Sequence, residues 1–315
     1  MTDSHIPLIV IAGPTGVGKT DLSIYLAQRF NGEVINGDSL QVYQGLDIGT
    51  GKITREEMDG VPHHLLDILP PDATYNASLF REQASEQVRE IHKRGKLPIV
   101  VGGTGLYLEG LLYDLSFGKV EDPAKRAQLE AEAETIGAKA LWERLADIDP
   151  EACAKIPYQN IRRTIRALEV IHASGELFSK QTEHQAKQSV FDELLVVLDR
   201  PRELLYDRIN RRVVGMVEAG LEAEVHGLYQ AVGAEEWQSL QGIGYKEWFP
   251  YFEDKQTLDQ VIAQIQQHSR RYAKRQLTWF RNRMKAPHWL DMEAADAHTQ
   301  AENWIAEHLE KGGIE

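Results

Sequence analysis

The sequence predicts an α/β fold: a parallel sheet with helices on both faces, built around a phosphate-binding loop and joined to an all-helical insertion. Three observations predict it. Apolar strands alternate with amphipathic helices as far as Tyr113, the signature of a doubly wound sheet. The first strand runs straight into a glycine-rich turn, Gly13-Pro14-Thr15-Gly16-Val17-Gly18-Lys19-Thr20. Between residue 121 and about residue 187 the alternation gives way to helical periodicity alone, before residues 193–199 return to strand character. We therefore expect a core of residues 1–118 and 188–315 and a helical insertion of residues 119–187.

The first strand spans residues 6–12, and the turn after it fits G-x-x-x-x-G-K-[ST]. Its glycines let successive backbone N–H groups converge on one anion, and the helix that follows adds its positive end. Lys19 supplies a movable charge, and the Thr20 hydroxyl is placed to ligate Mg²⁺. The apolar pattern Leu22, Leu26, Ala27 and Phe30 gives the helix this motif requires, so the core is P-loop NTPase-like. That helix stops near Asn31-Gly32.

Residues 33–36 form the next strand and deliver Asp38 to the sheet edge where ligands of open α/β sheets sit. Asp38 can face the phosphate loop or merely cap the turn that follows. The glycine-broken stretch 46–54 reads as a loop, with Lys52 read as a solvated lysine in preference to a phosphate contact. Residues 63–68 read as a strand whose adjacent His63 and His64 point to opposite faces, a poor metal pair and hence structural. Residues 76–94 form a helix with Ala77, Phe80, Ala84, Val88 and Ile91 on one face. Residues 97–101 repeat the strand–glycine–helix arrangement, with Thr104 corresponding to Thr20 or acting as a simple cap.

In the insertion, Leu141, Leu145, Ile148 and Ile156 are expected to pack the helices together. Arg162, Arg163 and Arg166 lie close on one helix, as a solvated basic face or a phosphate clamp. The helix from Arg202 carries Arg208 and Arg212 one turn apart, able to reach one anion. Residues 242–246 form a compact turn. Residues 258–285 form a basic helix with Tyr272, Trp279 and Phe280, which suits RNA or supplies a core stripe. Residues 296–310 form an acidic amphipathic tail helix.

Composition narrows the function classes. The chain has 315 residues, 42% hydrophobic and 26% charged, enough for a full core. No apolar run approaches the ~20 residues that span a bilayer, and Met1-Thr2-Asp3-Ser4-His5 does not read as a secretory leader. Cys153 is the single cysteine, which excludes intrachain disulfides and multi-cysteine zinc sites. A cytoplasmic protein without membrane partners is expected. The net charge of −13 argues against generic nucleic-acid binding but not against a local basic patch. Residues 291–315 carry seven acids and one lysine, whereas Arg270, Arg271, Lys274, Arg275, Arg281, Arg283 and Lys285 have no acid between them.

Gly13 to Thr20, Asp38-Ser39 with Gln41-Val42-Tyr43, Asp47-Ile48-Gly49-Thr50, Val101-Gly102-Gly103-Thr104 and Gly244-Tyr245 together resemble the bacterial tRNA dimethylallyltransferases, or tRNA isopentenyltransferases, over about residues 7–290. The resemblance implies transfer of a dimethylallyl group from its diphosphate to N6 of adenosine 37 in the tRNA anticodon loop. It implies that Gly13 to Thr20 bind the diphosphate without spending ATP, that Asp38 is the general base, and that Thr104 and Arg212 contact the reacting groups. It further implies tRNA contacts at Asp38, Ser39, Leu40, Gln41, Thr104, Arg126, Gln159, Asn160, Ile161, Arg162, Arg163 and the turn of residues 241–246 with Gly244, Tyr245 and Lys246. The implied partners are dimethylallyl diphosphate and the tRNA anticodon stem-loop, the cofactor Mg²⁺, and the enzyme a monomer. Three alternatives stay open: a kinase using the loop on ATP, a nucleotide-gated RNA-binding module, and a prenyltransferase acting on free adenine nucleotides.

Overall fold

Six consecutive positions, Pro7–Ala12, are buried, so strand β1 has no solvent face and sits at the middle of the sheet. The computed structural model describes residues 3–115, 123–183, 188–231 and 236–312. It divides into a sheet unit, residues 1–114 with 189–315, and a helical unit, residues 115–188. The expected boundaries at residues 118–119 and 187 lie outside the described residues.

In the sheet unit, β1 is followed by α1 (Lys19–Arg29), β2 (Gly32–Asn36), β3 (His63–His64), α2 (Ala77–Lys93), β4 (Leu97–Gly102) and α3 (Gly105–Leu112). The helical unit supplies α4 (Pro123–Ile136), α5 (Ala138–Ile148), α6 (Pro150–Lys155), α7 (Ile161–Ser174) and α8 (Phe178–Glu183). The chain then returns through β5 (Asp192–Asp199), α9 (Arg202–Glu218), α10 (Leu221–Tyr229), α11 (Phe249–Phe252), α12 (Leu258–Arg283), β6 (His288–Asp291) and α13 (Ala297–Lys311).

All strands are parallel, in the order β3-β2-β4-β1-β5-β6. Ile9 lies opposite Ile99 on one side and Leu194 on the other. Ile9 and Ile11 face a cluster with Leu22 and Leu26 of α1, Leu205 and Ile209 of α9 and Ile305 of α13. Leu8 and Val10 alternate to the other face, and α2, packed on β4, β2 and α3, lies there with Phe80, Ala84 and Val88 buried. Each such fully buried Leu or Ile contributes about 1.5–3 kcal/mol.

Two expectations for this unit change. The strand of residues 63–68 shortens to His63–His64, because Leu65 and Asp67 adopt φ of 60° and 52° and turn the chain out of the sheet. His63 and His64 are structural: His63 Nδ1 lies 2.9 Å from Val61 O, and His64 Nε2 lies 2.7 Å from Glu33, which also pairs with Arg94. Lys52 is not solvated. Its side chain is 5% exposed and holds Tyr43 O, Asp47 and Asp67.

In the helical unit, Leu129, Leu141, Leu145, Cys153, Ile156, Ile165 and Leu168 form one core. Ile148 is 42% exposed instead of joining it, because α5 ends there and hands over to Asp149. Asp149 is buried and caps α6, accepting Ala152 N at 3.1 Å and Ser179 N at 2.8 Å. Asn160 caps α7 by accepting Arg163 N. Arg166 is tied to buried Glu169 at 2.8 Å, which leaves Arg162 and Arg163 as the exposed basic pair of that helix.

Candidate active site

A cleft of about 570 Å³ opens at the C-terminal ends of β1, β2 and β4, where a parallel sheet presents its loops. Thr15, Lys19, Thr20, Asp38, Gln41, Arg208, Arg212, Tyr272 and Gln276 all line it. The phosphate loop arrives from β1. Gly18 stands at the N-cap of α1, and Lys19 and Thr20 open the helix, with Thr20 exposed.

Four carbonyls of this loop are held by cations. Lys19 Nζ donates to Gly13 O at 3.0 Å and Pro14 O at 2.9 Å, Arg208 Nε to Gly16 O at 3.0 Å, and Arg200 Nε to Val17 O at 2.9 Å. Burial pulls the Lys19 ammonium down to about 8, with Asp38 opposing the shift and Arg212 adding to it. Arg212 donates to Thr15 Oγ1 at 3.5 Å and to Thr50 O at 3.0 Å. Burial lowers its pKa, again against the pull of Asp38. A concentration of partly dehydrated cations beside a glycine-rich loop at a helix N-terminus is a site for a polyanion.

Asp38 both caps a turn and lines the cleft. Oδ1 accepts Leu40 N at 2.8 Å and Gln41 N at 3.4 Å, while Asn36 Oδ1 accepts Asp38 N at 3.1 Å. Among the described residues none hydrogen-bonds Oδ2. Thr104 stands at the N-cap of α3, the position Gly18 holds on α1, so it does not correspond to Thr20. Its side chain makes no cap bond, and its buried Oγ1 faces the Tyr272 hydroxyl, where it offsets part of the burial-driven rise in the Tyr272 pKa. The simple-cap reading of Thr104 therefore fails.

Gln276 of α12 is a residue that periodicity and motif missed. Its Oε1 accepts Thr15 N at 3.0 Å and its Nε2 donates to Gly103 O at 2.9 Å, joining the two glycine turns. A signal was present: Val261, Ile265, Ala273 and Phe280 are the buried stripe of α12, and Gln276 is the polar member of it. The aromatics of α12 divide their roles. Phe280 is core, Tyr272 lines the cleft, and Arg283 lies over Trp279 at 5.4 Å.

The turn of residues 241–246 is only partly available as surface. Gly244 and Tyr245 are buried, which removes the Tyr245 ring from the expected tRNA contacts; Gln241 and Lys246 are exposed. Ser39, Leu40 and Gln41 are half-buried. In the helical unit Arg126, Gln159, Asn160, Arg162 and Arg163 are exposed and Ile161 is half-buried, with Arg126 paired to Glu130 at 3.1 Å.

The geometry agrees with what the chain is similar to. The model of the IPP transferase family matches residues 41–283, and that of isopentenyl transferase matches residues 6–72. A tRNA dimethylallyltransferase of Bacillus anthracis is 48% identical over 297 residues, covering 94% of each chain. Among solved structures, the full-length tRNA isopentenylpyrophosphate transferase of Bacillus halodurans is 46% identical with a TM-score of 0.74 and covers 98% of both chains. A eukaryotic dimethylallyltransferase acting on tRNA is 31% identical with a TM-score of 0.81, covering 98% of this chain and 80% of that one. With one family model matching most of its length and relatives matching nearly all of it, the chain belongs to the IPP transferase family.

Proposed function

We propose that the protein transfers a dimethylallyl group from dimethylallyl diphosphate to N6 of adenosine 37, beside the anticodon of tRNA, with release of diphosphate. The observation that carries this reading is one cleft containing both a phosphate cradle and the carboxylate of Asp38.

The adenine N6 lone pair is delocalised into the purine, so N6 is a weak nucleophile. As N6 bonds to the allylic carbon, the carbon–oxygen bond breaks and its electron pair leaves on the diphosphate. N6 sheds its proton to Oδ2 of Asp38, while the Leu40 and Gln41 amides hold Oδ1 and fix the carboxylate's orientation. The diphosphate gains negative charge as it departs, and Lys19, Arg208, Arg212 and the backbone N–H groups of Gly16, Gly18, Lys19 and Thr20 stabilise it. Thr104 Oγ1, buried beside the Tyr272 hydroxyl of the cleft, supplies a hydrogen bond to the reacting groups. Adenosine 37 has to leave its stack to reach this cleft, at a cost the single-stranded anticodon loop lowers.

Thr20 fits a Mg²⁺ role, since its exposed hydroxyl, diphosphate oxygens and water are a donor set Mg²⁺ takes. When bound there, the ion neutralises diphosphate charge. Among the described residues there is no cluster of three His, Cys, Asp or Glu able to hold a metal without the substrate.

We assign the helical unit as the tRNA-contacting domain, with Arg126, Gln159, Asn160, Arg162 and Arg163 offering exposed polar and basic groups. Gln241 and Lys246 offer the same on the sheet unit. The enzyme acts as a monomer in the cytoplasm, where its tRNA substrate is found. Among the described residues no helix is long and apolar enough to cross a membrane.

The deciding experiment incubates the protein with dimethylallyl diphosphate, Mg²⁺ and unmodified tRNA and weighs the anticodon-loop nucleosides. N6-(dimethylallyl)adenosine with equimolar diphosphate is the expected product. ADP formation from ATP with the RNA unchanged would overturn the reading. Competition by AMP as strong as that by an anticodon stem-loop would instead make free nucleotides the acceptor.

A further inference from the structure

Glu224 of α10 makes an unusual set of bonds. Its Oε2 accepts the backbone N–H groups of Asp47 at 3.0 Å and Ile48 at 2.7 Å, and its Oε1 accepts that of Gly49 at 3.0 Å. Oε1 also accepts the Tyr245 hydroxyl at 2.8 Å. Three successive amides converging on one carboxylate are the arrangement that backbone nests use for anions. With the amides turned to Glu224, the next carbonyl, Thr50 O, meets Arg212 Nη2 at 3.0 Å.

Close packing ties the same segment down at two further points. A Cβ at Gly49 would enter the Tyr245 ring, and one at Gly51 would enter the Arg212 guanidinium. Burial, then the Glu224 charge, raise the Tyr245 pKa, so the phenol keeps the proton it donates. Arg212 on α9 and Glu224 on α10 therefore grip one short segment from its carbonyl side and its amide side.

We propose that Glu224 and Tyr245 are positioning residues which, through residues 47–51, fix the Arg212 guanidinium over the phosphate loop. The role assigned to Tyr245 is thus toward the diphosphate and not toward tRNA. It rests on the reading of Arg212 as a diphosphate ligand. Arginine left to choose among rotamers is a weak stabiliser of a leaving group, and a displacement of about 1 Å can cost up to about 10²-fold in rate.

The test measures prenyl-transfer kinetics and tRNA affinity for Glu224→Gln, Tyr245→Phe, Arg212→Gln and the doubles Glu224→Gln/Arg212→Gln and Tyr245→Phe/Arg212→Gln. Glu224→Gln should lower kcat by about 10- to 100-fold with tRNA Kd unchanged, and each double should be no worse than Arg212→Gln alone within about twofold. Tyr245→Phe keeps the ring under Gly49, so its pair with Arg212→Gln serves where Glu224→Gln lowers the yield of folded protein. Losses that multiply in the doubles, or a loss confined to tRNA Kd, would overturn the proposal while leaving Arg212 in place. Full turnover by Arg212→Gln would overturn the Arg212 assignment and the proposal together.

Discussion

At the residue scale, two groups in the cleft make separable predictions. Asp38→Ala should lower turnover by about 10²–10⁴-fold while tRNA affinity changes little, because a general base acts on the proton and not on binding. Rapid-quench turnover together with filter binding checks both halves, and full activity in this variant would remove Asp38 as the base. Lys19 titrates near 8 rather than at its ordinary 10.5 because it is buried. Its positive form is present below that pH and is lost above it, so affinity for dimethylallyl diphosphate should weaken as pH rises from 7 to 9. Calorimetric titration without tRNA measures this, and Lys19→Gln should bind weakly at every pH with the dependence gone. Gly13 to Thr20 could be read directly from the sequence because the chemistry of a phosphate loop is local, set by glycines a few positions apart. Gln276 could not, since its two partners lie far back in the chain. Lys52 is hidden from the sequence for a related reason: Tyr43 O and Asp67, 9 and 15 positions away, fold around its ammonium together with Asp47.

At the scale of elements, strands buried on both faces and helices with a clear stripe were legible because periodicity records burial. Thus β1, β2, β4, β5 and α2 fall within a residue or two of their expected bounds. Where burial gives no pattern the reading fails. β3 keeps only His63 and His64, and β6 is an edge strand with Leu290 its one buried residue. The capped turn at Asp149, which ends α5 and starts α6, likewise left no hydrophobic trace beyond Ile148. Helix α12 shows why a basic helix can also be structural. Gln276→Leu should leave Thr15 N and Gly103 O without this partner, costing about 1–3 kcal/mol at the buried Gly103 carbonyl and less at the half-exposed Thr15 amide. The urea midpoint of the full chain reads this loss, and diphosphate affinity should fall with it. A variant as stable as the parent would show that water replaces the amide.

At the scale of the whole molecule, a net charge of −13 and a polyanionic substrate are opposed, so binding has to be confined to a few cations. The affinity for an anticodon stem-loop should therefore fall steeply with salt. Removing both exposed cations in Arg162→Gln/Arg163→Gln should flatten the log–log slope by about 1.4–1.8, the share of two phosphate contacts. An unchanged slope would take that pair out of the tRNA surface. The strand order has a consequence of another kind, for the sequence of events as the chain emerges from the ribosome. β1 pairs on one side with β4 and on the other with β5, and the residue that braces its loop, Gln276, comes 261 positions after Thr15. Long-range pairing of this sort is slow, and it cannot begin before its partner is made. The segment that carries the phosphate loop is thus translated well before the elements that complete it, and a nascent chain cut before α12 should lack the Gln276 brace and bind diphosphate weakly.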